Sequence, residues 1–153
     1  MIVRELVAED FDRGFLETLS NLASVKGLDA GSAKEIFFKI LQNNVYRFYV
    51  MEDIIVHNMN DDSKKDSQIV GCITLLIEQK FIHDGGLVGH IEDVTTRKGF
   101  EGKGIGKALV NHALLEAKRL GCYKVLLNCK DTLTPFYNKS GFYTHQICMR
   151  VDF

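Results

Sequence analysis

The sequence predicts an α/β fold built on a mixed sheet, and three observations predict it. β-Branched and aromatic runs at Tyr46–Val56 and Ile69–Glu78 flank a polar stretch, the pattern of an antiparallel hairpin. A third such run, Leu87–Thr95, leads through a glycine-rich turn and a helix-periodic segment into another apolar strand, and that order implies a parallel pair with a right-handed crossover. The chain has 153 residues, 46% of them hydrophobic, which suits one domain over 1–153 whose core needs neither disulfide nor metal.

Taken in order, Ile2–Leu6 alternates as a first strand should. From Asp10, Phe11, Phe15, Leu19 and Leu22 recur at helical spacing, so an amphipathic helix is expected to about Val25, ended by Gly27. Ser32 with Glu35 reads as a capping box for a second helix that buries Ile36, Phe37, Ile40 and Leu41 and stops at Asn43 and Asn44. Asn58–Ser67 is the hairpin loop, and Asp84, Gly85 and Gly86 turn the chain into the third strand. The next helix aligns Ile105, Leu109, Ala113, Ala117 and Leu120, with Gly121 as its left-handed cap. Tyr123–Cys129 is a continuous apolar run of the kind buried on both faces. Thr134 and Pro135 open a short helix to Ser140, Gly141 ends it, and Phe142–Val151 is the last strand.

Net charge is −1 and the pI about 6.5, so no global basic field recruits nucleic acid or an anionic membrane, and an anionic ligand must be held locally. Apolar runs are too short to span a bilayer and the N-terminus lacks a basic-then-apolar signal, so a cytoplasmic protein is expected. Cys72, Cys122, Cys129 and Cys148 form no CxxC pair and the five histidines no HxxxH, so no metal site is expected.

The chemistry centres on the turn Phe100–Lys107. Its alternate glycines remove Cβ atoms where phosphates would collide, and the helix behind it adds unsatisfied first-turn donors and the positive end of its dipole. A Walker A loop would need glycine at 101 and Ser or Thr at 108, where the chain has Glu101 and Ala108. A dinucleotide fingerprint needs GxGxxG after the first strand, and here the spacing is GxGxG past the midpoint.

Glu101, Gly102, Lys103, Gly104, Ile105 and Gly106, followed by Lys107, resemble the pyrophosphate-binding motif of the GNAT acetyltransferases, (Q/R)xxGx(G/A). The order of elements also resembles the GNAT fold. The resemblance implies a sheet of about six strands with helices on both faces, the strands splaying after the cofactor-binding turn. It implies acetyl-CoA as cosubstrate, its diphosphate on the amides of residues 101–107. The thioester would lie between the strands ending near Thr95 and Cys129, with the Val94 amide polarising its carbonyl. Glu101 departs from Gln or Arg, so its side chain is expected to face solvent with its backbone N–H available. Phe136-Tyr137-Asn138-Lys139-Ser140-Gly141-Phe142 resembles the FYxKxGF segment that carries the family's general acid, which makes Tyr137 the acid; a phenol with pKa about 10 is protonated at neutral pH.

Lys80-Phe81-Ile82-His83, then His90-Ile91-Glu92-Asp93-Val94, then Gly121-Cys122-Tyr123-Lys124 resemble one subfamily, the glucosamine 6-phosphate N-acetyltransferases. That likeness implies acetylation of D-glucosamine 6-phosphate, a step toward UDP-N-acetylglucosamine, in a homodimer with a shared site. The KFIH and CYK segments, with Phe81, Ile82 and Cys122, would bind the sugar phosphate, and Lys80, His83 and Lys124 would engage the phosphate itself. Glu92 and Asp93 would hold the sugar and its ammonium, deprotonated through water or Glu92. Asn128 replaces a family acid and can orient the amine by hydrogen bonding. Ser24, beside Ala23, stands in for a first-helix threonine, and Arg150 for a basic residue aligned with Asp152, on the same strand face. Two other readings stay open: a GNAT enzyme for a peptide or polyamine, which these cations disfavour, and a non-catalytic acetyl-CoA-binding module.

Overall fold

The computed structural model describes residues 1–56 and 65–153. The elements run β1 (Ile2–Glu5), a 3-10 turn (Ala8–Asp12), α1 (Phe15–Leu19), α2 (Ala30–Leu41), β2 (Tyr46–Val56), β3 (Lys65–Gln79), a one-turn α3 (Ile82–Gly85), β4 (Leu87–Thr96), α4 (Ile105–Arg119), β5 (Cys122–Leu127), a 3-10 turn (Asp131–Leu133) and α5 (Thr134–Asn138). The strands form one sheet in the order β1-β2-β3-β4-β5. Every pairing is antiparallel except β4 with β5, which the α4 crossover makes parallel. Among the described residues no helix is long and apolar enough to cross a membrane.

Side-chain alternation along the strands supplies two cores. On one face α4 buries Ile105, Leu109, Val110, Ala113 and Ala117 against Tyr49, Ile73, Leu75 and Ile91. On the other, Phe11, Ala33 and Phe37 cover Val50, Ile69 and Cys72. Gly71 lets α4 come close, because a Cβ there would collide with Ile105 Cγ2 and stand 2.9 Å from Leu109 Cδ1. Asp10, wholly buried, accepts from Arg4 at 2.7 and 2.8 Å and from Arg13 at 2.6 Å, and both arginines also reach Glu52. This shared network satisfies a charge that would be costly alone.

Several expectations need correction. The long first helix is two short pieces, because Gly14 sits at φ 90° and the Arg97 guanidinium passes within 2.5 Å of where its Cβ would be. Residues 20–29 are therefore turn rather than helix. The cap of α2 is Asp29, which accepts from Ser32 N at 2.8 Å, in place of a Ser32 capping box. β5 is an edge strand with two exposed positions, not one buried on both faces. Phe142–Val151 forms no strand: residues 142–153 are irregular, with Tyr143, Ile147, Met149, Val151 and Phe153 exposed, so the sheet has five strands among the described residues rather than six. β3 starts at Lys65, inside the expected loop, and residues 58–64 of that loop lie outside the described residues.

Candidate active site

The glycine turn has the backbone that its composition implied. Gly102 and Gly104 lie at φ 76° and 80°, and a Cβ on either would meet no atom within 4 Å, so the left-handed conformation demands glycine and opens onto empty space. The first helical bond of α4 runs from Ala108 N to Gly104 O at 3.0 Å. Ahead of it, the amides of Gly104, Ile105, Gly106 and Lys107 meet no acceptor among the described residues. Four donors at the positive end of a 15-residue helix fit a diphosphate. Gly106 serves the packing instead, since a Cβ there would lie 3.3 Å from Phe136 Cζ, and its absence lets α5 approach the turn. Lys103 Nζ sits 4.3 Å from the centre of the Phe100 ring.

Beside the turn the sheet opens. The parallel register runs from Leu87 with Cys122 to Ile91 with Leu127, after which β4 continues to Thr96 without a β5 partner. A bulge sharpens the departure. Cys72 pairs with Thr95 and Thr74 with Glu92, so Asp93 and Val94 together face Ile73, and Asp93 takes φ 53°. The Cys72 thiol, pushed up to about 12 mainly by burial, lies 3.8 Å from Asp93 O. Asn128 is exposed just past the end of β5. Tyr137 is buried on α5, its ring 4.9 Å from Phe136 and 6.0 Å from Phe142. Burial, then the nearby Cys129, raises its phenol above the ordinary value, so it is protonated at neutral pH. Its hydroxyl bonds no protein group among the described residues.

The expected acceptor residues fall into two groups. Lys80 and His83 lie at the β3–β4 turn and Lys124 near the start of β5. Lys80 pairs with Glu78, which also bonds His90 Nε2 at 2.8 Å, and these contacts lower the Glu78 carboxyl below its usual range. His83 and Asp84 occupy left-handed φ of 53° and 54°, with the His83 ring packed 4.4 Å from Tyr123 and Phe81 and Ile82 exposed alongside. Cys122, partly buried, packs against the α4 core. Glu92 and Asp93 are exposed in the middle of β4, just past its last pair with β5. Through Glu78 the Lys80 ammonium is linked to His90, which lies two residues before Glu92 on the same face of β4. Ser24 is exposed, its hydroxyl 3.4 Å from Lys26 N. Arg150 shares no strand face with Asp152, since the arm is irregular; it bonds Asp152 at 2.6 Å instead. A cavity of about 160 Å³ beneath α1 and α2 is lined by phenylalanine and leucine with Thr74 and Asp93 at its edge, and without a cation it is no phosphate site.

Residues 33–142 match the family described as Acetyltransferase (GNAT). The chain belongs to the GNAT acetyltransferase family. A Drosophila melanogaster protein named a probable glucosamine 6-phosphate N-acetyltransferase is 37% identical over 142 residues, 93% of this chain and 60% of that protein. The glucosamine 6-phosphate N-acetyltransferase of Arabidopsis thaliana is 32% identical over 147 residues, 96% of this chain and 93% of its own. The crystal structure of glucosamine-6-phosphate N-acetyltransferase from Arabidopsis thaliana superposes with a TM-score of 0.86 at 29% identity, covering 99% of this chain and 97% of that one.

Within this GNAT chain, sequence reasoning missed Asn21, which the expected long helix hid as an ordinary helical position. Its Nδ2 donates to Thr96 O at 2.7 Å and reaches Glu101 Oε1 at 3.3 Å. The Glu101 side chain is exposed, as expected, yet it is also tied: Oε2 accepts from Gly99 N at 2.7 Å. Its own amide and that of Gly99 hold the carboxyl below its ordinary range. That amide thus faces its own carboxylate, and the open donors begin at Gly102 rather than at residue 101.

Proposed function

We propose that this GNAT acetyltransferase, acting as one domain over 1–153, transfers acetyl from acetyl-CoA to the amine of D-glucosamine 6-phosphate, a step toward UDP-N-acetylglucosamine. The observation that carries the reading is the set of four unpaired amides at the head of α4 beside the parted ends of β4 and β5. They suit a coenzyme diphosphate and leave a gap for the pantetheine arm and thioester, with Val94 in the bulge itself. The acceptor is supported by the names of the relatives and by the cation and carboxylate sets. Glu92, directly or through water, takes the ammonium proton, and Asp93 and Asn128 orient the amine. The nitrogen attacks the carbonyl, the carbon–sulfur bond breaks, and Tyr137 gives its proton to the departing thiolate.

The reading includes a homodimer with a shared active site. The exposed arm supports the dimer, since residues 147, 149, 151 and 153 are all apolar with the alternation of a strand that lacks a neighbour. The reading places the enzyme in the cytoplasm.

Purified protein given acetyl-CoA and a panel of amines, with free thiol followed, tests the function. Preference for glucosamine 6-phosphate supports it, and preference for a polyamine, peptide or antibiotic ends it. Binding of coenzyme A without thiol release from any amine points instead to a non-catalytic module.

A further inference from the structure

The turn that holds the proposed diphosphate is made of residues poor at holding shape. Gly99, Gly102 and Gly104 all lie at positive φ, and glycine loses more conformational freedom on ordering than any other residue. Something must brace it. Of the ties between residues 17–21 and the sheet, Thr18 Oγ1 donates to Ile69 O at 2.6 Å and the Glu17 carboxylate pairs with Arg97. Arg97 meets the turn at its foot, where its carbonyl accepts from Phe100 N at 3.0 Å, but neither tie reaches the glycines beyond. Asn21 does, through Glu101, and Glu101 reaches Gly99.

The chemistry of this contact selects a carboxylate. Both neighbours, Gly99 N–H and Asn21 Nδ2, are donors, so residue 101 must accept twice from one side chain end. An ionised carboxylate has two acceptor oxygens, glutamine has one, and arginine has none. Arginine therefore cannot make this brace, and glutamine can do so only with one neutral oxygen shared between both donors, where the carboxylate offers a charged oxygen to each. Asn21 also belongs to the stretch that carries Ala23 and Ser24, so the contact joins the coenzyme turn to the acceptor-side segment.

We propose that Glu101 and Asn21 form a positioning pair that orders the diphosphate-binding turn and links it to the acceptor segment. This rests on the reading of residues 104–107 as the diphosphate site. It makes a prediction of definite sign. If Glu101 were only a negative charge beside an anion, removing it would tighten coenzyme binding. As a brace, it must be kept for tight binding.

Coenzyme A binding to the whole protein, measured by calorimetry, decides between these. Glu101→Ala is expected to weaken binding about tenfold, the scale of a lost charge-assisted hydrogen bond, and Glu101→Gln severalfold, with the loss persisting at high salt. Asn21→Ala is expected to weaken coenzyme A binding severalfold and to raise KM for the acceptor with kcat little changed, a split that general loss of stability would not produce. The double variant should lose less than the product of the single losses. Unchanged or tighter binding in the Glu101 variants, or strictly multiplicative losses, overturns the pair. Failure of the unaltered protein to bind coenzyme A would instead remove the diphosphate reading itself, and the pair with it.

Discussion

Ile91 and Leu127 are the last residues to pair across the parallel edge of the sheet, and Glu92, Asp93, Val94 and Asn128 follow directly after them. Past that pair the backbone groups of β4 lose their β5 partner, the bulge at Asp93 turns the strand, and α5 brings Tyr137 in against Phe136 and Phe142. The opening is a property of the strands' lengths and of one extra residue, not of a flexible segment.

Tyr137→Phe keeps the buried ring and removes only the hydroxyl. Turnover should fall about a hundredfold, the usual scale for a general acid, while coenzyme A affinity and melting temperature stay close to those of the unaltered protein. Equal turnover in a steady-state assay would remove Tyr137 as the acid.

Gly104→Ala adds a methyl that meets nothing but forces a left-handed residue at the start of α4. It should cost about 1 kcal/mol in denaturant unfolding and weaken coenzyme A several-fold, because the new Cβ points into the space a diphosphate would use.

Gly71→Ala acts from inside the core. Its Cβ would collide with Ile105 and Leu109, the first turns of α4, so the helix must shift. A loss of about 2 kcal/mol is expected, together with weaker coenzyme binding, since the displaced end carries the amide donors. Thermal melts with and without coenzyme A measure both.

Acid should weaken the fold through Glu52. Arg4 above all, then Ser67 and Arg13, hold its carboxyl at about 2 against an ordinary 4.5. A depressed folded-state value means the stabilisation is complete above about pH 4.5 and is lost as pH falls from there through 2. Urea unfolding across that window should show the decline, and Glu52→Gln should flatten it while lowering stability at pH 7.

Local patterns carried much of this in the residues themselves. The hairpin strands, the periodic run of α4, the left-handed glycine after it at φ 86° and the Pro135 helix are each encoded within a few neighbours, so reading along the chain found them. So did the glycine turn, whose positive φ angles only glycine takes easily. The contacts that overruled the reading join distant residues: Arg97 crossing Gly14 broke the first helix, and Asn21 meets Glu101 across 80 positions. The exposure of β5 and the unpaired arm followed from which strand sat at the sheet edge, and the same apolar alternation is compatible with a buried strand or a bare one. Periodicity states what a segment prefers to cover, whereas its actual neighbour is set by the packing of the whole chain.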